Sequence, residues 1–457
     1  MLQSDTGCDC YVTGGPKSTI VCQRLFHYNW GGSVVSDVNA NIFKMVDMLT
    51  QVTIRSLDHI MAQIRREADK TGLPAAQFTP FFLEPQWPRV VRLLEQAAAL
   101  PGAQLKAAEL ALYIDRLASA TGRFNEWLPV VRGLAVDLDE PGTDDRLQIA
   151  SLWYCVARCY QYLGDATRAG IALNYAEGHT AGQGEPGADF ARVVRVTRGG
   201  VRTGQLRYAE VEAIYLQLLE DAKSRGDAQT ALFGHDLAAY YFLNVYEPVR
   251  AFDHGQQAFV LAIALRDPIR RLRGLHCMAE ALRIGKQLGL AEGYLKRAHA
   301  LALQLNDQPW LAYLEYSFGT LAVEAKDYPR AIDQLRKARG LFQGTSNRPG
   351  EINSIEALGF ALLQAGRYEE AETVLLEAIR GLKEMQNSFE LAQAHYGLGM
   401  VYVQQGQERL AQNAWYEALH HLDGFGSEQS HVLHLLEKIQ EAVIELMVAP
   451  PLSGAAA

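Results

Sequence analysis

From residue 230 onward, apolar positions recur at helical spacing and small residues recur over a longer period. Ala251, Ala291, Ala331, Ala371 and Ala411 are each 40 residues apart, and so are Ala258, Ala298, Ala338, Ala378 and Ala418. A third series runs Ala239, Ala279, Gly319, Gly359, Gly399. A fixed period of this length marks a repeat architecture. Within one unit Ala371 and Ala378 lie two helical turns apart and share a face. Leu375 sits between them, with Leu295, Leu335 and Trp415 at the same offset in other units. Gly366 and Gly406 fall where a helix should end. Each unit therefore predicts helix, short turn, helix, with small residues where the two helices press together and large apolar ones around them.

Leu358, Gly359, Leu362, Gly366, Tyr368, Ala371, Leu375 and Ala378 resemble the tetratricopeptide-repeat (TPR) pattern. Leu398, Gly399, Tyr402, Gly406, Ala411, Trp415 and Ala418 resemble it more closely still. The 40-residue spacing is similar to that of bacterial regulatory TPR proteins, among them the sensor domain of the maltose-regulon activator and the Rap/PlcR peptide-sensing regulators. The resemblance implies an all-α fold, a right-handed superhelix (α-solenoid) of about seven or eight helical hairpins.

Upstream the pattern weakens. Gly199, Val211 and Leu218 keep the offset; Ala157, Tyr160, Gly164, Ala169, Leu173 and Ala176 outline a further unit; Gly122, Trp127 and Val131 suggest a degenerate one. The array is expected over residues 105–426, with its best-defined repeats at 230–426. Leu433, Leu436, Ile439, Val443 and Leu446 predict a capping helix within 427–448, because the end units of such arrays need polar covers. The tail 449–457, rich in Pro and Ala, is expected to be disordered. Residues 1–40 read as an irregular segment with turn chemistry at Gly14-Gly15-Pro16. Val46, Leu49, Leu57, Ile60, Met61 and Ile64 predict a helical extension or cap over 41–104, with a break near Gly72 and Pro74.

Composition narrows the function. The 457 residues carry 43 Lys and Arg against 52 Asp and Glu, a net charge of −9, which disfavours bulk nucleic-acid binding. No run of apolar residues is long enough for a membrane span, and no secretory signal is visible. Six irregularly spaced cysteines make no disulfide framework, so a cytoplasmic location is expected. Gly14–Thr19 ends like a phosphate-binding loop, but Pro16 lacks the N–H such a loop needs and the first glycine is missing; a surface turn is the better reading. Cys8, Cys10, Cys22 and His27 lack the paired spacing of zinc ligands. Cys155 and Cys159 read as buried thiols. His420, His421, His431 and His434 carry no general-base Glu within an i, i+4 pair, and the acidic stretch Asp137, Asp139, Glu140, Asp144, Asp145 lacks EF-hand spacing. No nucleophile elbow or dinucleotide fingerprint is present. No metal, no cofactor and no enzymatic activity are expected.

The resemblance implies that the first helix of each hairpin lines a concave groove, at fixed offsets from the central small residue. Those positions are Phe233, Asp236, Tyr240 and Asn244; Arg273, His276, Glu280 and Arg283; Tyr313 and Tyr316; Asn353 and Phe360; Tyr396 and Met400. Aromatic side chains there suit peptide recognition at low entropic cost, and the arginines suit a carboxylate. The expectation is a non-enzymatic adaptor or scaffold binding a peptide or protein segment in the groove. Two alternatives stay open: a ligand- or peptide-sensing regulator of transcription or signalling, and an accessory subunit of a larger enzyme or defence complex. A homo-oligomer is compatible with each.

Overall fold

The structure is a computed structural model that describes residues 34–71, 78–100, 102–139, 145–385, 387–423 and 430–448. The cysteine and glycine motifs of residues 8–27, part of the acidic stretch and the tail 449–457 lie outside the described residues. Among the described residues every regular element is helical. The chain divides into two compact units, one formed by residues up to 113 with 132–144, the other by 114–131 with 145–457.

In the first unit α1 (Val34–Thr71) precedes a short 3-10 helix (Phe81–Gln86) and α2 (Trp87–Ala98). Leu57, Met61, Ile64 and Ala68 are buried from α1, an i, i+4, i+7, i+11 stripe. Leu83, Trp87, Val90 and Leu94 are buried from the next two helices. Pro88, at the start of α2, costs no hydrogen bond there, since the first turn has no internal partner for its N–H groups.

Helices α3 (Gln104–Thr121) and α4 (Phe124–Leu138) each contribute residues to both units. The second unit then holds seven complete hairpins. They are α5 (Arg146–Tyr162) with α6 (Ala166–Thr180), α7 (Gly184–Gly204) with α8 (Tyr208–Arg225), and α9 (Ala228–Asn244) with α10 (Pro248–Ala264). Next come α11 (Pro268–Ile284) with α12 (Leu288–Leu305), and α13 (Gln308–Glu324) with α14 (Tyr328–Gly344). The last two are α15 (Arg348–Gln364) with α16 (Tyr368–Met385), and α17 (Ser388–Gln404) with α18 (Glu408–Leu422). The final helix α19 (Ser430–Val448) packs on the last hairpin through Val432, Leu435, Ile439 and Ala442.

The 40-residue period has a simple structural content. In the hairpin α9–α10 two 17-residue helices and two three-residue connections fill it. The middle residue of each connection takes a left-handed backbone, with φ near +58° at Tyr246, +54° at Arg266, +60° at Lys286, +59° at Lys326 and +52° at Ser346. The following residue closes the old helix and opens the new one. The Asp267 N–H donates to the Ala262 carbonyl at 2.9 Å, and its carboxylate accepts from the Arg270 N–H at 3.0 Å. Asp307 repeats both bonds, to the Ala302 carbonyl at 3.1 Å and from the Trp310 N–H at 3.0 Å. Asn347 does so as well, to Phe342 at 3.1 Å and from Gly350 at 3.0 Å. The backbone bond is the helix-ending Schellman closure and the side-chain bond is an N-cap.

Inside each hairpin the small residues sit where the sequence places them. A Cβ added at Gly319 or Gly359 would come within 2.6 Å of the Leu335 or Leu375 Cγ, and one at Gly399 would collide with the Trp415 indole. Ala371, Ala378, Ala411 and Ala418 are fully buried. The unit also meets itself over a long sequence distance. A Cβ at Gly122 would strike Thr345, and one at Gly164 would lie 3.2 Å from Met385 Sδ and 3.3 Å from Pro349 Cγ. Turns more than two hundred residues apart are therefore in contact, and the first helices crowd the interior.

Gly399→Ala is expected to destabilise the chain by about 1–3 kcal/mol through overpacking. Arg266→Gly, which removes a Cβ from a left-handed position at an exposed turn, is expected to stabilise it by about 0.5–1 kcal/mol. Denaturant midpoints of the two variants against wild type check both signs.

Candidate functional site

The first helices carry side chains in rows that repeat every 40 residues. Three positions before the central small residue stand Asp236, His276, Tyr316, Glu356 and Tyr396; six before it stand Phe233, Arg273, Tyr313, Asn353 and Gln393. Because each helix starts from the same cap, these rows share a face along the array.

At α9 the expected binding residues are turned inward. Asp236 is 1% exposed and is held between Arg270 and Arg273, whose Nε lies 3.0 Å from its Oδ1. Phe233 is buried with the Arg270 guanidinium 4.9 Å above its ring centroid. Arg273 is thus engaged by a carboxylate of the chain itself, which neutralises the charge the sequence offers to a ligand. Asn244 donates to the Tyr240 carbonyl at 2.8 Å, satisfying the end of its own helix. Tyr240 remains 37% exposed, with Arg273 5.7 Å from its ring centroid.

The next two hairpins are joined by a polar chain. His276 Nε2 lies 2.9 Å from Ser317 Oγ and 4.0 Å from Glu280. Arg283 donates to Glu280 at 2.9 Å and reaches Glu324 at 3.5 Å, and Lys286 meets Glu324 at 2.5 Å. Burial opposes the Glu280 charge, but Arg283 and then a hydrogen bond from Ser317 hold its carboxyl below the usual range. Burial lowers His276, so its imidazole is held neutral. Tyr313 accepts a 2.9 Å hydrogen bond from Asn347, the buried cap of α15, and serves that turn. Tyr316 is half-buried, and burial next to Glu356 raises its phenol.

Beyond α13 the electrostatics change. Glu356 is 8% exposed, and its Oε1 has no hydrogen-bond partner among the described residues. Glu390, at the first turn of α17, receives the Asn353 amide at 3.1 Å once that amide is turned to satisfy its neighbours. Burial and the neighbouring Glu390 push Glu356 well above the usual carboxylate range, and burial pushes Glu390 up to about 7. Phe360 packs into the core and against Gly397. Tyr396 and Met400 pack with the cluster that includes the α19 residues Val432, Leu435, Ile439 and Ala442, so the cap covers the last unit.

The remaining candidates for the groove face that the resemblance implies are therefore Tyr240, Glu280, Arg283, Tyr316, Asn353, Glu356 and Glu390. The last was absent from the sequence reading. It stands nine positions before Gly399, in register with Arg270, Trp310 and Gly350, a row outside the offsets considered. Arg116, in the second unit, was also missed; burial lowers its guanidinium, which faces Asp267 and Asp307 electrostatically.

Away from the groove, Cys155 and Cys159 are free and buried, and burial raises both thiols. Asp115 next to them accepts from Arg158 at 2.6 Å and from Trp127 at 2.9 Å. His395 stacks on His421 at 5.7 Å, and burial, then His421, lowers it to about 4. Among the described residues no three His, Cys, Asp or Glu side chains stand close enough to hold a metal ion, and no helix is long and apolar enough to cross a membrane.

No protein-family model and no curated protein matches the sequence. Solved structures do match. A Rap protein described as complexed with competence and sporulation factor is 14% identical, with a TM-score of 0.51 over 74% of this chain and 98% of that one. The apo form of RapI is 13% identical with a TM-score of 0.43, covering 65% and 85%. A signal-transduction ATPase with a TPR sensor, from Pyrococcus horikoshii, is 13% identical with a TM-score of 0.43, covering 78% and 53%. At this identity the likeness establishes the fold, a TPR-like solenoid, and nothing about activity.

Glu356 and Glu390 make stability depend on pH. Their folded pKa values lie above the unfolded value of about 4.3, so the folded state binds more protons between the two, and stability falls as pH rises through that window. From pH 5 to pH 8 Glu390, raised to about 7, is expected to cost on the order of 2 kcal/mol, with Glu356 acting in the same direction. Glu356→Gln should flatten that fall in urea-denaturation midpoints; equal pH slopes for both proteins would count against the pairing.

Proposed function

We propose that this TPR-like solenoid binds a peptide or an extended protein segment in the groove lined by its first helices, and works as an adaptor or sensor rather than an enzyme. The observation that carries the reading is the set of polar and aromatic side chains near the central small residue of successive first helices. Tyr240 and Tyr316 keep exposed surface there although the unit buries most of its large side chains. Amphipathic aromatic residues held rigid on helices bind extended ligands with little loss of entropy.

A sensing role, with ligand binding read out by a partner protein, is favoured over pure scaffolding by one comparison. A solved structure with a TM-score of 0.51 is that of a Rap protein complexed with a factor, over almost its whole length. The free buried cysteines suit a reducing, cytoplasmic setting.

The test is capture from a random-peptide display library by the full chain. The double variant Tyr240→Ala, Tyr316→Ala should lose capture of the enriched peptides by about thirtyfold or more while its helicity is unchanged. Undiminished capture by that variant would move the site off this face.

A further inference from the structure

Among the described residues, buried carboxylates in the second unit are matched by cations of the chain or, like Asp307, spent on capping a helix, and Glu356 has neither. Asp236 has Arg270 and Arg273; Glu315 has Lys337 and, at 3.3 Å, His299; Glu280 has Arg283; Asp115 has Arg158. Glu356 has none among the described residues, though it is more than nine-tenths buried and its Oε1 is unpartnered. Its neighbour Glu390 accepts from the Asn353 amide and has no ion pair. Several cations of adjoining helices are committed elsewhere. Arg283 is taken by Glu280 and Glu324, Arg339 by Glu377, Lys337 by Glu315, and Arg348 by Glu351 and Glu384.

An unpaired buried carboxylate costs several times more than a paired one, and a chain that pairs the others leaves this one for a charge supplied from outside. Glu356 stands in the groove-facing row between Tyr316 and Tyr396, and Tyr316 feels both Glu356 and Glu390. We propose that Glu356 and Glu390 form a subsite for a guanidinium or ammonium group, carried by an Arg or Lys side chain of the peptide that occupies the groove.

The subsite rests on the groove being the peptide site, and it adds the ligand's sign of charge at one place along it. Asn353 holds Glu390 in position; Tyr316 supplies an aromatic wall of the kind that favours cations. Arg283 and Glu280 close the side toward α11 as a neutral pair. At neutral pH the empty pair retains a proton, and an arriving cation displaces it into solvent. The bonds made are charge-assisted N–H···O contacts, and no covalent step is involved.

The experiment uses the full chain and agmatine, a guanidinium and an ammonium on one short chain, titrated calorimetrically at pH 7.5 in phosphate and in Tris. Wild type is expected to bind with an enthalpy that differs between the buffers, reporting the released proton. Glu356→Gln and Glu390→Gln should each weaken binding about tenfold or more while helicity is kept. Equal binding by wild type and both variants, or no binding by wild type, would overturn the subsite. The peptide-display capture separates this from the broader reading. Enriched peptides that all carry Arg or Lys, with the preference lost in Glu356→Gln, support it. Enriched peptides without a basic residue would keep the groove and remove the subsite. Agmatine binding with no peptide captured at all would remove the peptide and leave a free amine as the occupant, which overturns the proposal as stated.

Discussion

The second unit depends on a three-residue turn. Its middle residue is left-handed, and its last residue closes one helix with a backbone N–H while its side chain starts the next. Two functions in one residue leave no slack in the connection, so helix length and helix direction are set together. Left-handed residues fall every 20 positions from 206 to 366, and again at 406. The groove rows follow from this. Side chains 40 residues apart face the same way because successive first helices begin from the same Asp or Asn cap.

Much of this architecture was legible in the sequence, and what was not has a physical reason. The 40-residue period was carried by Ala and Gly at helix contacts, where Gly359 and Gly399 admit no Cβ against Leu375 and Trp415. The 20-residue half-period went unread because its turns hold Tyr246, Arg266, Lys286 and Ser346 rather than glycine. The sequence does contain a signal for it: Asp227, Asp267, Asp307, Asn347 and Asn387 cap successive first helices at 40-residue spacing. In the groove, offsets identified which positions share a face but not what else reaches them. Asp236 is closed off by Arg270 and Arg273, the first from outside the offset rule, and Tyr396 is closed off by a helix beyond the repeats. Pairing is a property of neighbours in space, and a single-unit pattern holds no information about it.

The first-helix rows are electrically uneven as a result. Toward α9 and α11 their charges are internally neutralised: Asp236 with two arginines, Glu280 with Arg283, Glu324 with Lys286. Toward α15 and α17 they are not. Internally satisfied charges fix the spacing of neighbouring hairpins at small net gain, since desolvation offsets most of the attraction. Unsatisfied ones lower stability locally. The two parts of one surface thus divide between holding the array in shape and leaving something for a ligand to satisfy.

The contact of Gly122 with Thr345, and of Gly164 with Met385 and Pro349, has a consequence for how the unit comes apart. A linear stack of repeats frays from either end, each hairpin relying only on the next. Here the early turns also lean on turns in the fifth and sixth complete hairpins, so the array behaves less like a zipper and more like a loop of chain mail fastened at a clasp. Opening the clasp frees the interior along its whole arc, while fraying at the last hairpin leaves the fastened part intact.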